Sequence, residues 1–142
     1  MASRALVGVA ARSLGTVEDT ITLVQYRALV LLASRGEMNV GSLANAFELH
    51  QSTATRLCDR LVTKGFVVRT PSAESRREVC VALTPAGRGL VRSVTARRRR
   101  EIDKIMARFS PSQRELIVDA LTAFSDAAGE VPDEAWKLGW TE

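Results

Sequence analysis

Apolar positions recur at helical spacing through the first third of the chain. The pattern predicts a short amphipathic helix over residues 1–14, a second helix over residues 22–34 that Gly36 ends, and a third over residues 40–47. Asn39 suits the N-cap of the third helix, because its side-chain oxygen can accept a hydrogen bond from a free backbone N–H. The buried face of the second helix is predicted to hold Leu23, Tyr26 or Arg27, Val30 and Leu31.

A fourth helix, predicted from Gln51 to about Lys64, has two chemically different sides. Its buried stripe, at positions i, i+3, i+4 and i+7, is Ala54, Leu57, Cys58 and Leu61. Its opposite side is polar and partly basic, with Gln51, Ser52, Thr53, Thr55, Arg56, Asp59, Arg60 and Thr63. Residues 48–50 alone separate this helix from the preceding one, which is the pattern of a helix-turn-helix.

After Gly65 the apolar period changes from 3.6 to 2. Residues 66–70 and 78–83 are rich in β-branched side chains and predict the two strands of a hairpin. The loop between them is polar and ends in Arg76 and Arg77. A hairpin with a basic tip directly after a helix-turn-helix is typical of a wing.

Two more helices are predicted after the hairpin. Thr84 can cap the first of them, with Pro85 at its first position, and the helix can run to Phe109. Ser110 and Gln113 have the spacing of a capping box that begins the last helix. This last helix has an apolar face made of Leu116, Ile117, Ala120, Leu121 and Phe124.

Composition narrows the class of protein. The chain has 142 residues, 46% of them apolar, which fits one compact domain with a helical extension. No apolar run approaches the roughly 18 residues of a membrane span, so a soluble cytoplasmic protein without membrane contact is expected. Residues 36–100 contain 12 Lys or Arg against 5 Asp or Glu, whereas the rest of the chain has 8 basic and 11 acidic residues. A basic middle segment favours a polyanionic partner.

Double-stranded DNA is the polyanion that a helix-turn-helix fits. Candidate contacts are Gln51, Ser52, Thr53, Thr55, Arg56, Arg60, Arg76 and Arg77. Arg56 can pair with a guanine through two hydrogen bonds, and Arg60 is expected on phosphate. The two wing arginines suit a narrow minor groove, where negative potential is concentrated. The run 97–100 is interpreted as a solvated stretch paired partly with Glu101 and Asp103, with extra phosphate contact as the alternative.

The remaining candidate chemistry is sparse. Cys58, Cys80 and the single histidine, His50, have no recognised metal-ligand spacing, and we expect both cysteines to be small buried hydrophobes. His50 is interpreted as a helix cap or phosphate contact. No paired nucleophile and base and no phosphate-binding glycine loop is present, so we expect neither an enzyme nor a cofactor.

The order of elements and three strings resemble the MarR family of bacterial regulators over about residues 14–128. The strings are Gln-Ser-Thr-Ala-Thr-Arg-Leu-Cys-Asp-Arg-Leu at 51–61, Lys-Gly-Phe-Val at 64–67 and Arg-Arg-Glu-Val-Cys-Val-Ala-Leu-Thr-Pro-Ala-Gly at 76–87. The family's wing carries Asp-x-Arg and, after five residues, Leu-Thr. Here Ser75 stands in place of that Asp, so the orientation of the wing arginines would rest on a neutral hydrogen bond or on Glu74.

The resemblance implies a mostly α fold with a small β-hairpin, in which a winged helix-turn-helix lobe joins a helical dimerisation region. Residues 1–20 would form an N-terminal dimerisation helix. Residues 21–84 would form the DNA-binding lobe, with the recognition helix at about 51–64 and the wing at 66–83. Residues 85–142 would supply C-terminal dimerisation helices and a tail. Trp136 and Trp140 of the tail are four residues apart, and this spacing suggests that they pack on the dimerisation helices.

The resemblance also implies a homodimer on a palindromic operator, with its two recognition helices about 34 Å apart. Such proteins are often repressors released by a small phenolic or lipophilic effector. Tyr26, Arg27 and Met38 fall in the general region of that pocket, with a core role expected for Tyr26. One alternative is a thiol-based redox sensor, for which Cys80 is expected to be more exposed than Cys58. A winged-helix protein-interaction module is the other, and the basic wing and the polar helix face argue against it.

Overall fold

A computed structural model describes residues 1–17, 20–71 and 79–130, apart from the side chains at positions 2 and 16. Within these ranges the helices are α1 (Ala2–Leu14), α2 (Leu23–Arg35), α3 (Val40–Ala46), α4 (Gln51–Thr63), α5 (Pro85–Met106) and α6 (Pro111–Ala127), and a 3-10 turn (Gly15–Val17) follows α1. The strands are β1 (Met38–Asn39), β2 (Val67–Pro71) and β3 (Val79–Leu83). The expected fold class, mostly α with a small hairpin, is confirmed. No helix of the described ranges is long and apolar enough to cross a bilayer.

Polar side chains cap the helices where the sequence places them. The Asn39 Oδ1 accepts a hydrogen bond from the Ser42 N–H at 2.7 Å, which starts α3. Ser110 and Gln113 form the expected capping box at the start of α6, with donor–acceptor distances of 3.0 and 3.3 Å. Thr22 and Gln25 form a second capping box at the start of α2. These caps satisfy backbone N–H groups that have no partner within the helix.

The sheet has the order β1-β3-β2, with both pairs antiparallel. The hairpin runs in register from Val67 opposite Leu83 to Pro71 opposite Val79. Strand β1, which the sequence does not predict, pairs Asn39 with Cys80 and so joins the start of α3 to the wing. Cys80 is 9% exposed and Cys58 is 1% exposed, so Cys80 is the more exposed of the two thiols, as expected, although both are buried.

The core lies where α2, α4 and α5 meet the sheet. Leu29, Leu43, Val81 and Val91 are each 0% exposed and belong to one apolar cluster. The predicted buried face of α2 is rotated from the observed one, since Leu23 is 55% exposed. The side chains of α2 that are buried are Gln25, Tyr26, Ala28, Leu29, Leu32 and Ala33. Gln25 is buried together with Tyr26 and Leu29 and also belongs to the capping box.

Helix α5 begins directly on the hairpin. The Thr84 Oγ1 accepts from the Gly87 N–H at 3.1 Å and donates to the Gly65 carbonyl oxygen at 2.7 Å, while the Thr84 N–H donates to the Phe66 carbonyl oxygen at 3.1 Å. Gly87 is buried at this contact, and a larger residue would not fit, because a Cβ at that position would lie 2.1 Å from the Phe66 oxygen. The glycine therefore lets the helix approach the backbone that leaves α4.

Helix α5 ends at Met106, three residues before the expected end at Phe109. The Arg114 Nε donates to the carbonyl oxygens of Met106 and Phe109 at 2.9 and 3.0 Å, and Nη2 donates to that of Ala107 at 3.4 Å. A guanidinium thus caps the carbonyl end of α5, where partial negative charge is concentrated. This cap fixes the corner between α5 and α6.

Helix α6 is almost entirely exposed to solvent. Its described side chains are all exposed except that of Ile117, which is half-buried. The apolar face that the sequence predicts is present, with Leu116 at 69%, Leu121 at 42% and Phe124 at 68% exposed. Helix α1 also presents apolar side chains to the outside, since Val7 is 68% exposed.

Candidate nucleic-acid interface

Helix α4, the predicted recognition helix, is held by its apolar stripe. Ala54, Leu57, Cys58 and Leu61 are all buried, as the sequence predicts. At its C-terminal end, the Lys64 ammonium donates to the Thr20 carbonyl oxygen and, at 3.0 Å, to the Gln25 Oε1. These contacts fix both the rotation of the helix and the position of its last turn. The polar side is consequently turned away from the core.

A tight turn connects α3 to α4. Glu48 has φ of 53°, in the left-handed region that non-glycine residues rarely adopt, and the Leu49 N–H donates to the Ala44 carbonyl oxygen at 2.9 Å. His50 occupies the N-cap position of α4, but its side chain makes no capping hydrogen bond and is exposed. His50 is therefore the N-cap residue of α4 as interpreted, but it caps by backbone position alone. Phosphate contact by His50 stays a prediction.

The structure places the predicted contacts of α4 on one continuous surface. The exposed members are Gln51, Ser52, Thr53, Arg56 and Arg60. Thr55 is half-buried, and its hydroxyl donates to the Gln51 carbonyl oxygen at 2.9 Å. The two remaining predicted contacts, Arg76 and Arg77, lie outside the described residues, as do Glu74, Ser75, Trp136 and Trp140. Minor-groove contact by the wing tip stays a prediction.

Arg69 is a candidate that the sequence analysis missed. It lies on β2, and its Nη2 forms an ion pair with the Asp59 Oδ1 of the recognition helix. Both side chains are about half exposed, at 46% and 49%. The signal was a basic residue in a predicted wing strand, but a strand pattern alone does not show that Asp59 lies opposite.

An open groove of about 390 Å³ separates α4 from the base of the wing. Gln51 and Thr55 line it from α4, and Arg69 and Val79 line it from the hairpin. The remaining lining residues lie at the start of α3 and are Asn39, Val40 and Gly41. The groove therefore brings two of the predicted DNA contacts together with Arg69.

The structure offers little for redox or metal chemistry. Both cysteines are free and buried, and burial raises the pKa of the Cys58 thiol. A raised pKa lowers the thiolate fraction, which is the form that reacts with oxidants. Across the described ranges, His, Cys, Asp and Glu side chains form no group suited to a metal ion.

The arginine run 97–100 differs from the expected solvated stretch. Arg97 and Arg98 are half-buried, and buried guanidinium nitrogens of both have no hydrogen-bond partner among the described residues. The Arg98 guanidinium lies 5.9 Å from the centre of the Tyr26 ring, close enough for a cation–π contact. The interpretation fails for these two because α5 crosses α2 at this point. Glu101, expected to pair with the run, contacts Arg12 and Lys104.

Two hydroxyl groups lie nearby. The Tyr26 Oη and Thr95 Oγ1 are both buried, and Tyr26 itself is 1% exposed. Burial raises the pKa of the Tyr26 phenol, while a side-chain hydrogen bond with Thr95 and the positive charges of Arg98 and Arg97 act in the opposite direction. We call these four residues, Tyr26, Thr95, Arg97 and Arg98, the interhelical cluster. It lies between α2 of the lobe and α5.

An exposed helix that follows a tight turn and precedes a β-hairpin defines the class of winged helix-turn-helix proteins. The comparisons with known proteins agree. A family model described as the MarR family matches residues 21–79. The chain is 29% identical over 107 residues to the HTH-type transcriptional regulator YfiV of Bacillus subtilis, covering 75% of this chain and 67% of that protein.

Solved structures show the same fold. The crystal structure of Rv1404 from Mycobacterium tuberculosis is similar with a TM-score of 0.86 and 42% identity, covering 93% of this chain and 90% of that one. The complex of Staphylococcus aureus MepR with DNA is similar with a TM-score of 0.68, covering 90% and 95%, and its 22% identity shows the fold alone. The chain belongs to the MarR family of DNA-binding transcription regulators.

Proposed function

We propose that the chain is a sequence-specific repressor that binds a palindromic operator as a homodimer and releases it when a small-molecule effector binds. The observation that carries this proposal is the polar side of α4, where five of the six predicted contacts are exposed on a helix whose other side is anchored in the core. A helix of this kind fits the major groove of B-DNA, in which each base pair presents a distinct pattern of donors and acceptors. The protein would act in the cytoplasm, where bacterial DNA lies.

Base readout is assigned to the N-terminal half of α4. Arg56 is exposed and can donate two parallel hydrogen bonds to the O6 and N7 atoms of a guanine, which discriminates against other bases by about 1–3 kcal/mol. Arg60 lies one turn later and is assigned to phosphate, which sets the position of the helix without reading sequence. Arg76 and Arg77 are assigned to the minor groove on the strength of their place in the wing.

The bare apolar faces support dimerisation. Phe124 and Leu116 of α6 are each more than two-thirds exposed, and Val7 of α1 is 68% exposed. Large apolar side chains at helical spacing are rarely left in water, since each gains roughly 1.5–3 kcal/mol on full burial. We assign residues 1–20 and 85–142 to the dimer interface and residues 21–84 to the DNA-binding lobe. Two lobes related by a two-fold axis would read a palindrome.

The interhelical cluster supports release by an anionic effector. Two half-buried guanidinium groups, with buried nitrogens that have no hydrogen-bond partner among the described residues, lie between α2 and α5 beside the buried hydroxyls of Tyr26 and Thr95. Buried donors without partners are costly, and an aromatic carboxylate with a hydroxyl group would satisfy them. Binding there would shift the lobe relative to α5 if the two arrangements had different affinities for the ligand. Burial of both cysteines makes the thiol-sensing alternative the weaker one.

Selection from a random-sequence duplex library at two salt concentrations tests DNA recognition. We expect a palindromic motif with half-sites about ten base pairs apart, and affinity that falls steeply with salt because phosphate contacts release counterions. Arg56→Gln should relax the motif at one position of each half-site, whereas Arg108→Gln, at the exposed corner after α5, should leave it unchanged. Retention without any enriched motif would contradict sequence specificity, and no retention would contradict DNA binding under these conditions.

Three further measurements test the remaining parts. Sedimentation equilibrium should give a dimer, and a monomer at micromolar concentration would contradict the assigned interface. In vitro transcription from a promoter that contains the selected operator should decrease when the protein is added; an increase would make it an activator. A hydroxybenzoate series should release the operator from the parent but not from Arg98→Gln, with the exposed Arg100→Gln as control. Equal release from both variants would exclude the interhelical cluster as the effector site.

A further inference from the structure

The groove between α4 and the wing has a place in the DNA complex proposed above. When a helix lies in the major groove, the sugar-phosphate strand at the edge of that groove runs beside it. Gln51 and Thr55, on the α4 side of this groove, belong to the face assigned to DNA. A strand that passes between α4 and the wing would therefore run along the groove. Arg69 lines the groove from the hairpin.

We propose that Arg69 binds a DNA phosphate in this groove and that Asp59 is the positioning residue that holds its guanidinium there. The proposal rests on the proposed DNA-binding function and extends it to a residue on β2 that lies outside the recognition helix and the wing tip. Two observations carry it: the place of Arg69 in the groove wall, and the ion pair of its Nη2 with the Asp59 carboxylate. A planar guanidinium presents donors on more than one edge, so it can pair with a carboxylate and a phosphate together.

The ion pair explains why the arginine can be effective at an exposed position. A long, solvated side chain loses rotamer entropy when it is fixed on a phosphate. Asp59 lies on the rigid α4 and fixes the guanidinium before DNA arrives, so less entropy is lost on binding. The carboxylate also repels the phosphate, and this repulsion opposes part of the gain from positioning.

Salt dependence separates phosphate contact from a structural role. Each phosphate contact makes the slope of log K against log salt concentration more negative by about 0.9. Arg69→Gln removes two contacts per dimer and should make the slope less steep by about 1.8. Its loss of affinity relative to the parent should therefore be roughly tenfold larger at 50 mM than at 200 mM salt. Arg69→Lys keeps the charge and should keep the slope. Arg108→Gln removes the same charge at the far end of α5 and should also keep it.

The outcomes distinguish this inference from the function on which it rests. If the parent protein binds no duplex, both the proposed function and the phosphate contact of Arg69 are refuted. If the parent binds and Arg69→Gln loses the same factor at both salt concentrations, Arg69 has a structural role and the phosphate contact is refuted. An equal decrease of slope for Arg108→Gln would show a general charge effect and would also refute it. Thermal unfolding without DNA should give similar midpoints for all variants, since an exposed ion pair stabilises little.

Discussion

Two glycines in the first turns of α5 allow a matched test of how the helix is seated on the lobe. Gly87 is buried against the Phe66 carbonyl, whereas a Cβ at Gly89 would meet no atom within 4 Å. Both lie inside the same helix, so Gly→Ala gains the same helix propensity at either position, about 0.8–1.0 kcal/mol. The difference between the two alanine variants therefore isolates the packing contact.

The magnitude follows from the geometry. A Cβ at position 87 would lie 2.1 Å from the Phe66 oxygen, and real Cβ atoms are essentially never closer than 3.0 Å to a neighbour, so helix and strand must separate by about 0.9 Å. That shift would break the Thr84 N–H bond to the same oxygen, which is 3.1 Å long. A lost hydrogen bond costs about 0.5–1.5 kcal/mol and overpacking about 1–3 kcal/mol. After the propensity gain of about 0.8–1.0 kcal/mol, Gly87→Ala should be less stable by about 0.5–3.7 kcal/mol.

Thermal or denaturant unfolding at one fixed protein concentration measures both variants, because the midpoint of an oligomer depends on concentration. Gly89→Ala should raise the midpoint by about 3–5 °C and Gly87→Ala should lower it by about 2–18 °C. A Gly87→Ala protein as stable as the parent would refute the reasoning. It would mean that α5 is not held against the Phe66 carbonyl as the structure shows.

Three further predictions concern the arm and the thiols. Arg114→Met removes the guanidinium from the carbonyl end of α5 and should lower stability by about 1 kcal/mol, whereas Arg108→Met should not; equal effects in urea unfolding would contradict the cap. Lys104 and Arg12 lower the pKa of Glu101, so its contribution to stability is present above the unfolded pKa, about 4.3, and is lost as pH falls through the lower folded value. Glu101→Gln should thus be less stable than the parent at pH 7 but not at pH 3, and a deficit equal at both pH values would exclude this linkage. Both cysteines should react slowly with a thiol reagent at pH 8 and quickly after unfolding; rapid reaction of the native protein would contradict their burial.

Much of the helix-turn-helix and hairpin, and the start of α6, could be predicted from the sequence because their signals are local. The buried stripe of α4 repeats at helical spacing over eight residues, and the caps Asn39 and Ser110 act on backbone groups three residues away. The hairpin is predicted because the apolar period changes from 3.6 to 2 after Gly65. Such features depend on the chain near them, and neighbouring elements do not alter them.

The features that the sequence did not predict depend on contacts between elements that are distant in the sequence. Strand β1 has two residues, too few to show an alternating period, and it forms because β3 offers a free edge. Arg97 and Arg98 are half-buried because α2 crosses α5 there, although four successive arginines suggest a solvated face. The pairing of Asp59 with Arg69 needs the hairpin to fold back on α4. Tertiary contact decides each case, and a single sequence does not display it.

The exposed apolar face of α6 has a consequence for cells that express two versions of the chain. In the proposed dimer, the residues that join two chains are separate from those that touch DNA, so a chain with a damaged recognition helix can still find a partner. Co-expressed with the intact protein, an Arg56→Ala chain would form mixed dimers with one functional half-site and would act as a dominant inhibitor. Phe124 is 68% exposed in the single chain and lies on the face assigned to the dimer interface. Adding Phe124→Asp to the same chain replaces this apolar side chain with a charged one. The inhibition should then disappear, because the defective chain would no longer recruit its neighbour.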